Sequence, residues 1–176
     1  MNYRIFVEKK KDFRVEAQNL FSDLKENVGI SGLSDVRVLN IYDVFNLGEN
    51  DLEKLERTVF SEINADNVFR SLDEVFEEKN SENVYFSVEF LPGQYDQRAD
   101  SAIQCVNLLI DKNNNINVKS GKLIILYGKI SPEELAKVKK YYINEVEARE
   151  KDLNVLSENV ENENKDDVIV YDGFTE

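Results

Sequence analysis

A chain of 176 residues with 41% hydrophobic side chains, ten Phe and eight Tyr has enough apolar material to bury a core, as one domain or two fused halves. Its 35 acidic residues against 22 basic ones leave a formal charge of −13, a field that repels phosphate backbones and anionic lipid surfaces and argues against nucleic-acid and membrane partners. With no histidine, neither a Ser–His or Cys–His nucleophile nor a His-ligated metal can be assembled.

The elements follow in chain order. Tyr3, Ile5 and Val7 alternate with Arg4, Phe6 and Glu8, which predicts a strand with at least one buried face. Ala17, Leu20, Phe21, Leu24 and Val28 recur at helical spacing. Residues 36–44 read as a second strand, and Gly48-Glu49-Asn50-Asp51 as the start of a helix carrying Leu52, Leu55, Val59 and Ile63. Residues 66–71 form a candidate closing strand. The acidic stretch 73–82 reads as an exposed, mobile linker.

Residues 84–90 read as a strand and 99–110 as a helix. Between them, Pro92-Gly93 signals a turn and Asp96 is placed to cap the helix. Residues 122–130 read as a further strand. Ser131, Pro132 and Glu134 then make a capping box with Pro at the first helical position, ahead of Leu135, Val138, Tyr142 and Val146. Residues 154–167 are rich in Asn, Glu and Asp and poor in apolar side chains, so they are expected to be poorly ordered. Residues 168–174 turn apolar again, as an edge strand or a cover over the surface.

The chain repeats itself. Val84, Phe86 and Val88 fall 81 positions after Tyr3, Ile5 and Val7, and Glu89 answers Glu8. Ala99, Ala102, Ile103, Val106 and Ile110 each lie 82 positions after the first helical stripe. Ile41-Tyr42 and Leu126-Tyr127 correspond at an offset of 85, and the last helices correspond at 83. The predicted fold is α+β: two tandem units related by a pseudo-twofold, with amphipathic helices on one face of a largely antiparallel sheet. The units are residues 1–72 and 83–153, joined by the linker 73–82 and followed by an acidic tail at 154–176.

The turn Leu91-Pro92-Gly93-Gln94-Tyr95-Asp96-Gln97-Arg98-Ala99-Asp100-Ser101-Ala102 carries denser polar chemistry than a connector needs. The segment FSVEFLPGQYDQRADSAIQCVNLL resembles the N-terminal region of the large, single-chain form of phosphoribosylformylglycinamidine synthase, the ATP- and glutamine-dependent amidotransferase of purine biosynthesis. VEKKKDFRVEAQNLFSDLKENVGI, LNIYDVF, TVFSEI and KVKKYYINEVEAREKDL resemble the same region, so the likeness runs from Tyr3 to Leu153. Ile63 and Glu145 stand where the family tends to carry Pro, and no site carries over there.

The resemblance implies a tandem PurS-like domain with no catalytic residue, metal or cofactor of its own. ATP and Mg belong to synthetase domains absent from this chain. It also implies docking to the synthetase and glutaminase domains, with Gln94, Tyr95, Asp96, Gln97, Arg98, Asp100 and Ser101 at the interface or near the substrate. Arg98 is the natural contact for a carboxylate or phosphate, through its planar donor fork. Residues 168–174 are similar to the lead-in to a next domain, and the isolated chain is a candidate homodimer.

Other chemistry is sparse. Cys105, the single cysteine, has apolar neighbours and reads as a small buried side chain, which suits a reducing, cytoplasmic setting with no secretory leader. Glu77-Glu78 and Glu133-Glu134 read as solvated surface, and Gly29 to Gly32 is too short for a phosphate loop. Tyr42 and Tyr127 occupy equivalent positions by the offset of 85, as core rings whose hydroxyls can reach a groove. The competing reading is a small-molecule-binding regulatory module built from two α+β units. A self-contained enzyme lacks an identifiable acid–base pair.

Overall fold

The computed structural model describes residues 1–110 and 115–156. The expected tail therefore lies outside the described residues from 157 onward, together with the apolar stretch 168–174. The strands are β1 (Tyr3–Lys9), β2 (Leu33–Phe45), β3 (Asp66–Phe69), β4 (Asn83–Phe90), β5 (Asn117–Gly128) and β6 (Ala148–Glu150). The helices are α1 (Val15–Asp23), α2 (Glu49–Thr58), α3 (Leu72–Glu78), α4 (Gln97–Leu109) and α5 (Pro132–Tyr142). The strands form one open antiparallel sheet in the order β3-β1-β2-β5-β4-β6. Among the described residues no helix is long and apolar enough to cross a membrane.

The central pair is β2 with β5, running from Leu33 opposite Gly128, through a shift of register before Asp35, to Phe45 opposite Asn117. At its open end Gly128 has φ +119, and a Cβ there would meet the Gly32 carbonyl oxygen at 2.1 Å. Only glycine fits this approach. Successive side chains point to opposite faces of the sheet. Ile5, Val7, Tyr42 and Val44 join one apolar cluster with Leu52 and Leu55 of α2 and Ala102 and Val106 of α4. Phe86, Val88, Ile124 and Leu126 join a second with Leu20 of α1, Leu24 just past its end and Val138 of α5. These clusters hold α1, α2, α4 and α5 on the sheet, as the stripes predict. Each fully buried Leu or Val contributes about 1.5–3 kcal/mol.

α1 lies on β2 and shares an apolar cluster with β4, β5 and α5, while α4 lies on β5 and shares one with β1, β2 and α2. The stripes end sooner than their spacing predicts: α2 stops at Thr58 and α5 at Tyr142, leaving Ile63 and Val146 exposed.

The far face differs from expectation in two respects. The acidic stretch after Ser71 is no simple linker. Ser71 caps α3 by accepting from the Glu74 amide at 3.2 Å, and Val75 is fully buried against Phe6, Ile41 and Tyr127. Leu72, Val75 and Phe76 form a short helical stripe hidden among acids. Tyr42 and Tyr127 are also not equivalent. Tyr42 packs under the helices, while Tyr127 packs under α3 on the other face. An odd offset turns a side chain over, because the strand period is two.

Two ion networks lie on this far face. Arg37 forks onto Glu8 (Nε to Oε2 2.9 Å, an Nη to Oε1 2.6 Å) and donates to the Val75 carbonyl at 2.8 Å and the Tyr127 hydroxyl at 3.2 Å. Burial disfavours its charge, but hydrogen bonds to Glu8 and Tyr127 outweigh that and push the guanidinium above its ordinary value. Arg4 and Lys151 both hold Asp43, at 2.6 and 2.7 Å. Lys151 and Arg149 hold Glu89. Arg4 also donates to the carbonyls of Leu153 and Val155, fastening the segment after β6 across the sheet.

Removing one member of the buried Arg37–Glu8 pair strands the other. Arg37→Met alone is expected to cost about 3–5 kcal/mol, and Arg37→Met with Glu8→Leu to recover most of it. Urea denaturation of the three chains measures both effects.

Candidate functional site

The site grows from the connection between β4 and α4. Pro92 and Gly93 occupy the centre of a tight turn closed by Gln94 N–H to Leu91 C=O at 3.0 Å, with Gly93 at φ +89 as a type II turn requires. The Leu91 amide reaches the Glu147 carbonyl at 2.9 Å, which ties the turn to the chain ahead of β6. Asp96 is the N-cap, as predicted: its Oδ1 accepts from the Ala99 amide at 3.0 Å. It does more than cap. The same carboxylate accepts from the Ser120 hydroxyl at 2.6 Å and the Ser120 amide at 2.8 Å, latching α4 onto β5.

The other predicted residues divide into three groups. Tyr95, Gln97, Arg98 and Ser101 line a cleft of about 760 Å³. Asp100 does not line it; it accepts from the Tyr95 hydroxyl at 2.9 Å and the Gln104 amide at 3.1 Å. The hydrogen bond to Asp100 raises the exposed Tyr95 phenol above its ordinary value. Gln94 is exposed on the turn, away from the cleft lining.

One wall of the cleft is the α4 stripe Arg98, Ser101, Ala102 and Cys105, at i, i+3, i+4 and i+7. Val88, Phe90, Glu147 and Ala148 face it, and Tyr42, Ser120 and Lys122 lie beneath. Arg98 makes no ion pair or hydrogen bond among the described residues. Lys122 is bound by Glu16 of α1. Cys105 corrects an expectation: it is exposed on the cleft wall instead of buried, because Ala99, Ala102 and Val106 fill the inner stripe of α4.

Lys122, Glu16 and Tyr142 are functional candidates that the composition hid. Lys122 reads only as the head of an apolar run, yet it sits inside β5 on the helix-covered face, opposite Asn40. A charge at an inward strand position was the available signal. Burial pushes the Tyr142 phenol well up, and the nearby Glu16 charge adds to it. Its ring meets Phe86 edge-on at 6.0 Å.

A smaller cleft of about 390 Å³ shares Tyr42, Val59 and Arg98 with the first and is otherwise lined by Lys9, Arg14 and Asp66 among others. Among the described residues no group of three or more Cys, Asp or Glu is placed to hold a metal ion. The arrangement can bind through charge, hydroxyls and apolar walls. Cys105 has no histidine to activate it. No family model, curated protein or solved structure matches the chain.

Two outcomes follow from this geometry. Asp96→Ala removes a cap and two charge-assisted bonds, so it is expected to cost about 2–4 kcal/mol, with Asp96→Asn recovering part of it; thermal unfolding reads the difference. Tyr142 holds its proton more tightly folded than unfolded. Its contribution is therefore complete below its ordinary value of 10.0 and is lost as pH rises beyond that. Denaturation at alkaline pH is expected to show a smaller loss of stability in Tyr142→Phe.

Proposed function

We propose that this chain is a non-catalytic, PurS-like docking domain of phosphoribosylformylglycinamidine synthase type. It organises the ATP-dependent synthetase and glutaminase parts of that amidotransferase. The observation that carries the reading is the segment from Leu91 to Ala102, whose likeness to the family is its most specific feature. Asp96 is spent inside, on the latch to Ser120, while Tyr95, Gln97, Arg98 and Ser101 stand on an open cleft wall. A turn that braces itself with one acid and presents an aromatic ring and a free guanidinium suits a docking surface, where Tyr and Arg dominate the energetics.

A duplicated ancestry supports the same reading. The strand order reads alike from either edge once β1, β2 and β3 are matched to β4, β5 and β6. An offset of 82 takes Leu20 and Leu24 to Ala102 and Val106. The same offset takes Tyr42 and Val44 to Ile124 and Leu126, from one cluster to the other. The even offset replaces the value of 85 for the central strands and keeps each side chain on its face. It places Asn40 and Lys122, directly opposite each other, at the centre of the pseudo-twofold.

The test is binding of this chain to the remaining synthetase and glutaminase portions of such an enzyme, followed by calorimetry. Tyr95→Ala and Arg98→Ala are each expected to weaken binding by about 2 kcal/mol or more, as interface anchors do. No affinity in the unaltered chain, or undiminished affinity in both variants, overturns the proposal.

A further inference from the structure

The two clefts lie on either side of the Asn40–Lys122 pair, and their charges are arranged differently. Of the cations lining the smaller one, Lys9 holds Asp66 at 3.0 Å and Arg14 reaches Glu8 at 3.7 Å, which leaves Arg98, common to both clefts. In the larger one Arg98 has no partner among the described residues. Among the described residues Lys122 is answered only by Glu16, which approaches from the smaller cleft. Glu89, in the larger cleft, is taken by Arg149 and Lys151, and Glu147 is exposed. The wall between them is apolar, with Val88, Ala102, Ala148 and the ring of Tyr42. About 760 Å³ is the size of a small-molecule pocket, and a few convergent polar groups on apolar walls are its usual chemistry.

We propose that the larger cleft binds a small organic oxyanion, a carboxylate or phosphate monoester on an aromatic or branched apolar body. Arg98 is its anchor, and Lys122 is shared between the ligand and Glu16. Glu16 holds the Lys122 ammonium from outside the larger cleft, so it acts as a built-in competitor for a ligand oxygen. A planar guanidinium pairs with carboxylate or phosphate through two parallel bonds, and an apolar body adds burial beside it. The inference does not rest on the docking proposal, since a chain that docks to nothing can still fill this cleft.

Cys105 supplies the readout, because it is the single thiol, is exposed and lies on the cleft wall. The full chain is alkylated with neutral iodoacetamide in the presence of benzoate, phenyl phosphate, inorganic phosphate or phenol. Benzoate or phenyl phosphate at about 10 mM is expected to slow alkylation about fivefold, while phenol and inorganic phosphate do not. Arg98→Met is expected to abolish the protection, and Glu16→Gln to reduce the concentration needed for half-protection about threefold. Arg98 and Glu16 lie on helix surfaces outside the buried core, so both variants fold. The relative effects of benzoate and phenyl phosphate identify the preferred oxyanion. No slowing by either aromatic anion, equal protection by phenol or inorganic phosphate, or unchanged protection in Arg98→Met overturns the proposal.

Discussion

β2 and β5 pair along nearly their whole length, and every other element takes its position from that seam. Both strands are covered on both faces: Leu39, Ile41 and Val44 in one and Leu123 through Tyr127 in the other are fully buried. A strand buried on both sides has no amphipathic alternation, which is why Leu123-Ile124-Ile125-Leu126-Tyr127 reads as an unbroken apolar run. The seam also brings Ser120 to the start of α4, where Asp96 can reach it. The cleft wall is thus anchored to the least exposed part of the molecule.

The far face uses charge where the helical face uses volume. Arg37 joins β1, β2, β5 and α3 through one guanidinium, and the Asp43–Lys151–Glu89 chain joins the middle of the sheet to its edge. Buried ion pairs give little net stability, but they penalise misalignment heavily. If β1 slipped by one residue against β2, Arg4 and Glu8 would move to the apolar side and lose their partners. The charges therefore keep register in a sheet whose central strands are greasy on both faces.

Local rules were legible in the residues. Asp96 caps α4, Ser131 and Glu134 form their reciprocal box, and the apolar stripes of α1, α4 and α5 face the sheet. What eluded the sequence were relations between distant positions. Tyr42 and Tyr127 are separated by an odd number of residues along matching strands, which inverts the face of a strand. Acids mask the stripe in α3, and Cys105 has apolar sequence neighbours although helical geometry turns it outward. Lys122 and Glu16 are far apart in the chain and meet only because β5 pairs with β2, on which α1 lies. No local pattern announces such a meeting.

Both apolar clusters under the helices draw side chains from both halves, which has a consequence for how the chain is made. Until β4, β5 and α5 exist, Leu20 and Leu24 have only the part of their cluster that Ile30, Leu33 and Val36 supply, and β2 presents an unpaired edge. A nascent first half is therefore sticky and unfinished, exposed to self-association while synthesis proceeds. Assembly waits for distant contacts, which slows it relative to helical bundles of similar size. Once closed, the halves share both clusters and the β2–β5 seam, so a cut in the backbone between them would leave two fragments still clasped together.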